Sequence, residues 1–240
     1  MCSLFKKLPA RLVLLIVLFV LASGLPVQSS EAWALPRGSY FVELLPAPPQ
    51  PGDAADVSDL DAVLAQQGVA TSEEIAHARL TARLDPFEIF SEALGPGFTS
   101  EKYPKTKHLL DKLAISTGAM HDEVKAHYAR PRPFKAHADA GVVSHVGNED
   151  GFSYPSGHSL RGWLTGLILS ELCPEKRAQI MHCGAQVGLD RVIAGVHYHS
   201  DVLAARTEGR LIFDKLMDNA DFSKELAEVK AAEWRTPPAK

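Results

Sequence analysis

The amino-acid sequence predicts an all-α fold, built as a single-domain helical bundle. Apolar residues recur at helical spacing in several stretches between residues 71 and 216, and proline or glycine separates these stretches. No stretch shows the convincing alternation of apolar and polar residues that is typical of strands. The composition, 46% hydrophobic and 22% charged over 240 residues, fits one ordinary globular domain.

The first 34 residues have the order of a secretory signal peptide. A basic start at residues 6–11 precedes an unbroken apolar run at 12–22, and residues 32–34 form a small-x-small cleavage site. An uncleaved anchor helix is the alternative, but this run is shorter than the roughly 20 residues that span a membrane. We therefore expect a signal peptide at 1–34, a mature domain at 35–240 and a periplasmic or secreted protein.

The first predicted helix of the domain begins with a capping box. Thr71 and Glu74 have the spacing in which each side chain caps the other's backbone N–H group. Apolar residues continue at helical spacing as far as Leu94, with Pro86 restarting or kinking the helix, and residues 95–97 (Gly-Pro-Gly) end it.

The rest of the domain is predicted as an extended arm and four further helices. The arm covers residues 40–51, where four prolines disfavour regular structure. Apolar periodicity and flanking prolines predict helices at 108–128, 160–172, 175–193 and 201–216. The total is about five or six helices.

Charge and hydropathy exclude two classes of partner. The net charge of −4 gives no reason to expect a nucleic acid, and an anion site would need a local cluster of cations. Outside the leader the most apolar stretch, 163–169, is much shorter than a bilayer crossing, so no membrane association is expected after signal cleavage. Cys173 and Cys183 either pair in an oxidising compartment or remain buried thiols.

A basic cluster ends the helix predicted at 108–128. Lys125, Arg130 and Arg132 lie there, and Pro131 and Pro133 flank the last of them. Cations also complement a helix C-terminus, which is the simpler explanation. The two prolines restrict the backbone around Arg132, so its guanidinium would lose less entropy on binding a phosphate.

A second cluster, Ser153-Tyr154-Pro155-Ser156-Gly157-His158, directly precedes the helix predicted at 160–172. Ser156 and Gly157 at a helix start present a hydroxyl and unpaired backbone N–H groups, which is a common way to hold phosphate oxygens. His158 would lie at the rim of that cradle. The alternative is an ordinary N-cap followed by a surface histidine.

A third cluster consists of Arg191, His197 and Asp201. If the segment is helical, His197 and Asp201 share one face, and the carboxylate can accept from one imidazole nitrogen and leave the other as a basic lone pair. A nucleophilic histidine requires this arrangement. A surface His–Asp pair is the simpler alternative, and a metal site with His199 as a third ligand is disfavoured because His199 would face another side of the helix.

Together the clusters supply several cations, backbone donors, a candidate acid and a candidate nucleophile, which suffice for phosphoryl transfer without a metal. In the first cluster, six residues separate Lys125 from Arg132-Pro133, and the second contains Pro155-Ser156-Gly157-His158. In the third, five residues separate Arg191 from His197, and three separate His197 from Asp201. This three-part pattern resembles the phosphatidic acid phosphatase type 2 and vanadium haloperoxidase superfamily, and specifically the bacterial class A non-specific acid phosphatases. The segments at 45–49 and 197–201 are also similar to that class.

The resemblance implies a helical fold of the acid phosphatase and vanadium haloperoxidase type, with a phosphate site but no metal or other cofactor. In that site Lys125, Arg132 and Arg191 would bind the phosphate, helped by Ser156 and the backbone of Gly157. The expected protein is an exported acid phosphatase that hydrolyses a broad range of small phosphate monoesters. Relatives of this kind are commonly homo-oligomers.

The resemblance also implies the catalytic roles. His197 would attack phosphorus, oriented by Asp201, and His158 would protonate the leaving alcohol before water cleaves the phosphohistidine. An acidic working range is expected, because His158 must carry a proton while His197 offers a lone pair.

Two positions depart from the family pattern. Asp190 stands before Arg191 where the family usually has serine, and its carboxylate either weakens phosphate binding or points away. Phe152 stands before Ser153 where glycine is usual, which bears on the shape of the loop. The preferred alcohol depends on loops such as 137–150, and transfer to alcohols instead of water is left open.

Two other functions use the same residues. A vanadate-dependent haloperoxidase would hold vanadate in the site, but such enzymes are typically much longer chains. An exported phosphate-binding protein would keep the cations without turnover. Intact His158, His197 and Asp201 favour an enzyme, since binding alone needs neither an acid nor a nucleophile.

Overall fold

The computed structural model describes residues 32–235. The predicted signal peptide therefore lies, apart from its last three residues, outside the described part of the chain. Within that part, no helix is both long enough and apolar enough to cross a membrane.

All regular structure in residues 32–235 is helical, which confirms the predicted fold class. Two short 3₁₀ turns, Ala138–Ala140 and Pro174–Lys176, accompany the α-helices. The α-helices are α1 Gly38–Leu44, α2 Ala54–Val69, α3 Ser72–Thr81, α4 Pro86–Ile89, α5 Ser91–Leu94, α6 Pro104–Tyr128, α7 Pro133–Ala136, α8 Gly157–Leu172, α9 Arg177–Ile193, α10 His199–Met217 and α11 Ala220–Glu233.

Helix α8 is the central element of the bundle. It packs mainly against α9 and α10, while α3 lies against α9, and α1 and α11 lie against α6. Helices α8 and α9 approach so closely that a Cβ atom on Gly184 would come within 2.6 Å of the carbonyl oxygen of Gly162. Nearly every side of α8 is buried, as its apolar sequence requires. The site residues at the start of α8 therefore belong to a helix that is packed on several sides.

The segment predicted as helical from Thr71 to Leu94, with a restart or kink at Pro86, forms three helices. Its capping box is confirmed, since Thr71 Oγ1 accepts from Glu74 N and Glu74 Oε2 accepts from Thr71 N. The break follows α3, where Leu84 adopts a φ of 56°, and α4 then begins at Pro86. Proline lacks the N–H group that would continue the helix, so the chain turns at this point.

Among residues 32–235, four α-helices were not predicted from the sequence: α1, α2, α7 and α11. Helix α1 occupies the first part of the predicted arm, so the prediction of extended structure was wrong for residues 40–44. Helix α2 is capped by Asp53, which accepts from Asp56 N at 2.7 Å, and α11 is capped by Asn219. Each of these two helices buries only a few of its side chains.

Trp33 belongs to the core of the domain. Its ring lies edge-on to Phe222 with the centroids 5.0 Å apart, and the ammonium of Lys112 is 4.5 Å from its ring centroid. Its backbone N–H donates to Ser116 Oγ at 2.8 Å. Trp33, which lies within the triplet at which the sequence predicts signal cleavage, is thus part of the core.

Candidate active site

A cavity of about 290 Å³ lies between α6, the start of α8 and the turn before α10. Eight site residues were predicted, and five of them line this cavity: Lys125, Arg132, Gly157, His158 and His197. The other three, Ser156, Arg191 and Asp201, are buried and do not line it. The fold therefore brings the three sequence clusters to one place.

His197 and Asp201 are paired, although not as residues of one helix. His197 precedes α10, and Asp201 lies in its first turn. The Asp201 carboxylate is 3.3 Å from His197 Nδ1 and accepts from the backbone N–H of Tyr198 at 2.9 Å. The Asp201 carboxylate thus reaches back over the start of α10, and this contact fixes the imidazole of His197 in the preceding turn.

The contacts of His197 define its tautomer. Arg132 Nη1 is 3.0 Å from His197 Nε2, and a guanidinium can only donate, so Nε2 carries the lone pair and Nδ1–H donates to Asp201. Complete burial, and then the charges of Lys125 and Arg132, hold the pKa of His197 well below its ordinary value. His197 therefore remains neutral in mild acid.

Arg130 is a component of the site to which the sequence assigned no role. Its Nη1 contacts Asp201 Oδ1 at 2.8 Å, and its Nη2 contacts Asp59 Oδ2 at 3.0 Å. Its guanidinium carbon lies 3.8 Å from the ring centroid of Tyr198. Burial raises the pKa of Asp201 to about 6, and Arg130 opposes that increase. Arg130 thus supports the carboxylate that orients His197.

Lys125 and Arg132 enter the cavity from the end of α6 and from the segment after it. Lys125 Nζ donates to the carbonyl of Pro155 at 2.9 Å. Burial, together with the nearby Arg132, lowers the pKa of Lys125 to about 8. Arg132 donates through Nε and Nη2 to the carbonyl of Asp150. Both cations are therefore held in place before any anion binds.

Ser156, Gly157 and His158 form the start of α8. Ser156 is the N-cap, and its Oγ accepts from the N–H of Ser159 at 3.3 Å. His158 Nε2 lies 3.1 Å from the carbonyl oxygen of Ala82, which only accepts, so Nε2 carries a proton and Nδ1 is free to exchange one. Burial, and then the charge of Arg191, lower the pKa of His158 to about 4.

The carboxylate of Asp190 is turned toward α3, away from the cavity. It accepts from Thr81 Oγ1 at 2.7 Å, from His77 Nδ1 at 2.9 Å and from Gln186 Nε2 at 3.0 Å. This departure from the family pattern therefore fastens α3 to α9. Arg191, one residue further, donates to the carbonyl of Ala78 at 3.2 Å.

A second histidine–carboxylate pair, His121 and Glu208, lies beside the cavity. His121 Nδ1 is 3.0 Å from Glu208 Oε2, and Glu208 is fully buried. His121 Nε2 has no hydrogen-bond partner among residues 32–235. A Cβ atom on Gly157 would approach that nitrogen to 3.1 Å, so the pair packs against the start of α8. Seven positions separate Glu208 from Asp201, which is two helical turns along the same face of α10.

The buried pair leads to a stability prediction. His121→Leu leaves the Glu208 carboxylate buried without a partner, and we expect a loss of about 3 kcal/mol in the free energy of unfolding. The double variant H121L/E208L should recover much of that loss, because it buries no charge. Urea denaturation of both single variants and the double variant would measure the coupling. Additive effects of the two substitutions would contradict this explanation.

His199 is exposed at the start of α10 and does not join His197 and Asp201. In the part of the chain that the structure describes, no three histidine, cysteine, aspartate or glutamate side chains are grouped so that they could hold a metal ion.

Cys173 and Cys183 are both buried free thiols. Burial raises the pKa of each thiol, to about 11 for Cys173.

Comparison with known proteins gives consistent similarities. The family model of the PAP2 superfamily matches residues 112–213. The chain is 31% identical to a non-specific acid phosphatase of Providencia stuartii, over 89% of this chain and 96% of that protein. It is 32% identical to a non-specific acid phosphatase of Salmonella typhimurium, over 78% and 77%.

Two more distant similarities were also found. An acid phosphatase of Zymomonas mobilis is 27% identical over 86% of this chain and 83% of its own length. Among solved structures, a transmembrane PAP2 type phosphatidylglycerolphosphate phosphatase from Bacillus subtilis superposes with a TM-score of 0.49 and 19% identity, covering 74% of this chain and 89% of that one.

Proposed function

The chain belongs to the non-specific acid phosphatases of the PAP2 superfamily and is a phosphatase, and we propose that it cleaves phosphate monoesters through a phosphohistidine formed on His197. The observation that carries this mechanism is the state of His197. Its Nε2 lone pair is fixed by the Nδ1–H contact to Asp201 and faces a cavity lined by Lys125 and Arg132. A neutral imidazole beside buried cations is suited to attack a phosphate that those cations bind.

In the proposed first step, Lys125, Arg132 and Arg191 bind the phosphate oxygens, with Ser156 and the Gly157 N–H group at the start of α8. Arg132 Nη1, which contacts the lone pair of His197 in the free protein, turns to a phosphate oxygen. The lone pair then forms the N–P bond as the P–O bond to the alcohol breaks.

His158 completes both halves of the reaction. Its Nδ1–H donates a proton to the departing alcohol oxygen, which takes the electron pair of the broken bond. In the second step neutral His158 accepts a proton from water, the water oxygen attacks phosphorus, and the N–P bond breaks back to the His197 lone pair. The cations supply the charge stabilisation throughout, so the proposed reaction requires no metal.

Export to the periplasm or outside the cell belongs to the same proposal. It is supported by the signal-peptide pattern in the sequence. A homo-oligomeric assembly remains a prediction from the family resemblance.

Hydrolysis assays test the proposed function. Residues 33–240 would be assayed with an aryl phosphate from about pH 4 to 8, with and without a chelator. Chelator-resistant turnover that is fastest in acid is the expected result. Activity abolished by the chelator would refute metal independence, while phosphate binding without turnover would favour the phosphate-binding alternative. Halide oxidation that requires added vanadate would favour a haloperoxidase.

The low pKa of His158 predicts different pH profiles for kcat and kcat/KM. In the free enzyme its pKa is about 4, so kcat/KM should fall as pH rises through the low range where the acid loses its proton. A bound phosphate dianion offsets the charges of Arg191 and Arg132, which raises the pKa of His158. The alkaline limb of kcat should therefore lie at higher pH than that of kcat/KM.

The measurement needs an alkyl phosphate, whose poor leaving group depends on protonation. Ionisation of the substrate also affects both pH profiles, so His158→Gln serves as the control. In this variant the alkaline limb that the titration of His158 produces should be absent. Coincident limbs for kcat and kcat/KM in the parent enzyme would contradict the prediction.

A further inference from the structure

A carboxylate of this chain bridges the two arginines of the proposed phosphate site. Glu149 Oε2 lies 2.8 Å from Arg132 Nη1, and Glu149 Oε1 lies 3.5 Å from Arg191 Nη1. Both arginine side chains are buried, whereas the Glu149 side chain is 19% exposed. Glu149 thus reaches inward from the loop before the second cluster.

The bridging carboxylate takes contacts that a phosphate would otherwise take. Guanidinium groups bind carboxylate and phosphate oxygens with the same N–H donors. Arg132 Nη1, the atom nearest Glu149, is also 3.0 Å from His197 Nε2, so the carboxylate stands beside the proposed nucleophile.

Arg132 does not depend on Glu149 for its position. Its Nε and Nη2 atoms donate to the carbonyl of Asp150, at 3.2 and 3.0 Å, and its Nη1 also donates to the carbonyl of Val196 at 3.2 Å. Withdrawal of the Glu149 side chain would therefore remove a carboxylate charge from beside Arg132, and free the Nη1 donor of Arg191, without releasing the Arg132 guanidinium.

We propose that Glu149 is an internal competitor for phosphate, which leaves the two arginines when the substrate phosphate binds and returns to them as the product phosphate departs. The inference rests on the proposed function, because it takes Arg132 and Arg191 as phosphate ligands. Competition of this kind weakens the binding of substrate and product alike, and it limits product inhibition.

Calorimetric titration with inorganic phosphate tests the competition directly. Glu149→Gln removes the charge while keeping the side-chain length, and we expect the Kd for phosphate to fall by about tenfold, with a parallel fall in the inhibition constant and in KM. Asp150→Asn is the matched control, since its side chain is 95% exposed and its ion pair is with Lys135 at 3.6 Å. The control leaves the backbone carbonyl that holds Arg132, and it should change the Kd by less than about twofold.

Two results would overturn the role of Glu149. Phosphate binding that is unchanged or weaker in Glu149→Gln would show that the carboxylate supports the site instead of competing for it. Equal tightening in both variants would show a general effect of loop charge. Failure of the phosphohistidine mechanism is distinguishable, because it would appear as turnover that survives loss of His197 while phosphate binding still responds to Glu149.

Discussion

Replacing His197 with glutamine should lower kcat by on the order of 10⁴-fold or more, because no other group in the site offers a lone pair at that position. Glutamine can retain a hydrogen bond to Asp201 but cannot form the covalent intermediate. Steady-state hydrolysis of a phosphate ester measures the loss. In the parent protein, rapid quenching with labelled substrate should trap a protein-bound phosphate that is labile in acid and stable in alkali.

His199→Gln is the matched control for this experiment. It makes the same substitution two residues away, at an exposed position outside the cavity. We expect near-parental activity in this variant. A His197→Gln variant that keeps activity within about tenfold of the parent would refute the assignment of the nucleophile.

The substitution Arg130→Met should cost both stability and activity. It would leave the buried carboxylates of Asp201 and Asp59 without their guanidinium partner, and we expect a loss of about 3 kcal/mol in the free energy of unfolding. Arg130 also opposes the effect of burial on the pKa of Asp201. Without Arg130 that pKa should rise further, so Asp201 would be protonated over more of the working range and would orient His197 less well.

The activity of Arg130→Met separates positioning from general destabilisation. We expect kcat to fall by roughly 100-fold at temperatures where the variant is folded. The pH profile of kcat should also shift, because Asp201 would ionise at a higher pH in the variant than in the parent. Arg210→Met is the control, since Arg210 pairs with Asp214 on the surface, where an ion pair contributes little. A destabilised variant with an unchanged pH profile would show that Arg130 is only structural.

Local patterns predicted much of this fold, and the failures have physical causes. The capping box at Thr71 depends on neighbouring residues alone, so it could be found. The restart of the helix at Pro86 was likewise predicted from a local signal, whereas the positive φ of Leu84 was not, because a leucine adopts that conformation only when tertiary contacts impose it. Helix α2 carries Val57, Leu60, Val63 and Leu64 at helical spacing, so its sequence did contain the pattern that predicts a helix.

The same distinction applies to the site. The spacing of His197 and Asp201 predicted a contact that the structure contains, but the helical explanation was wrong because His197 precedes α10. The roles of Arg130 and Glu149 could not be predicted, since their partners come from distant parts of the chain. Arg130 was recognisable only as one of three clustered cations. A buried acidic partner cannot be assigned to it until the fold places Asp59 beside it.

The position of Trp33 bears on the proposed cleavage of the signal peptide. A signal peptidase that cut after Ala34 would remove a side chain that is 5% exposed, and the core would lose the partner of Phe222. A cut after Ala32, which follows the small-x-small triplet Ser30-Glu31-Ala32, would leave Trp33 as the first residue of an intact domain. The burial of Trp33 therefore favours the earlier cut. If the protein is exported as proposed, N-terminal sequencing of the mature chain should begin with tryptophan. A sequence beginning with Leu35 would show that the domain folds without Trp33.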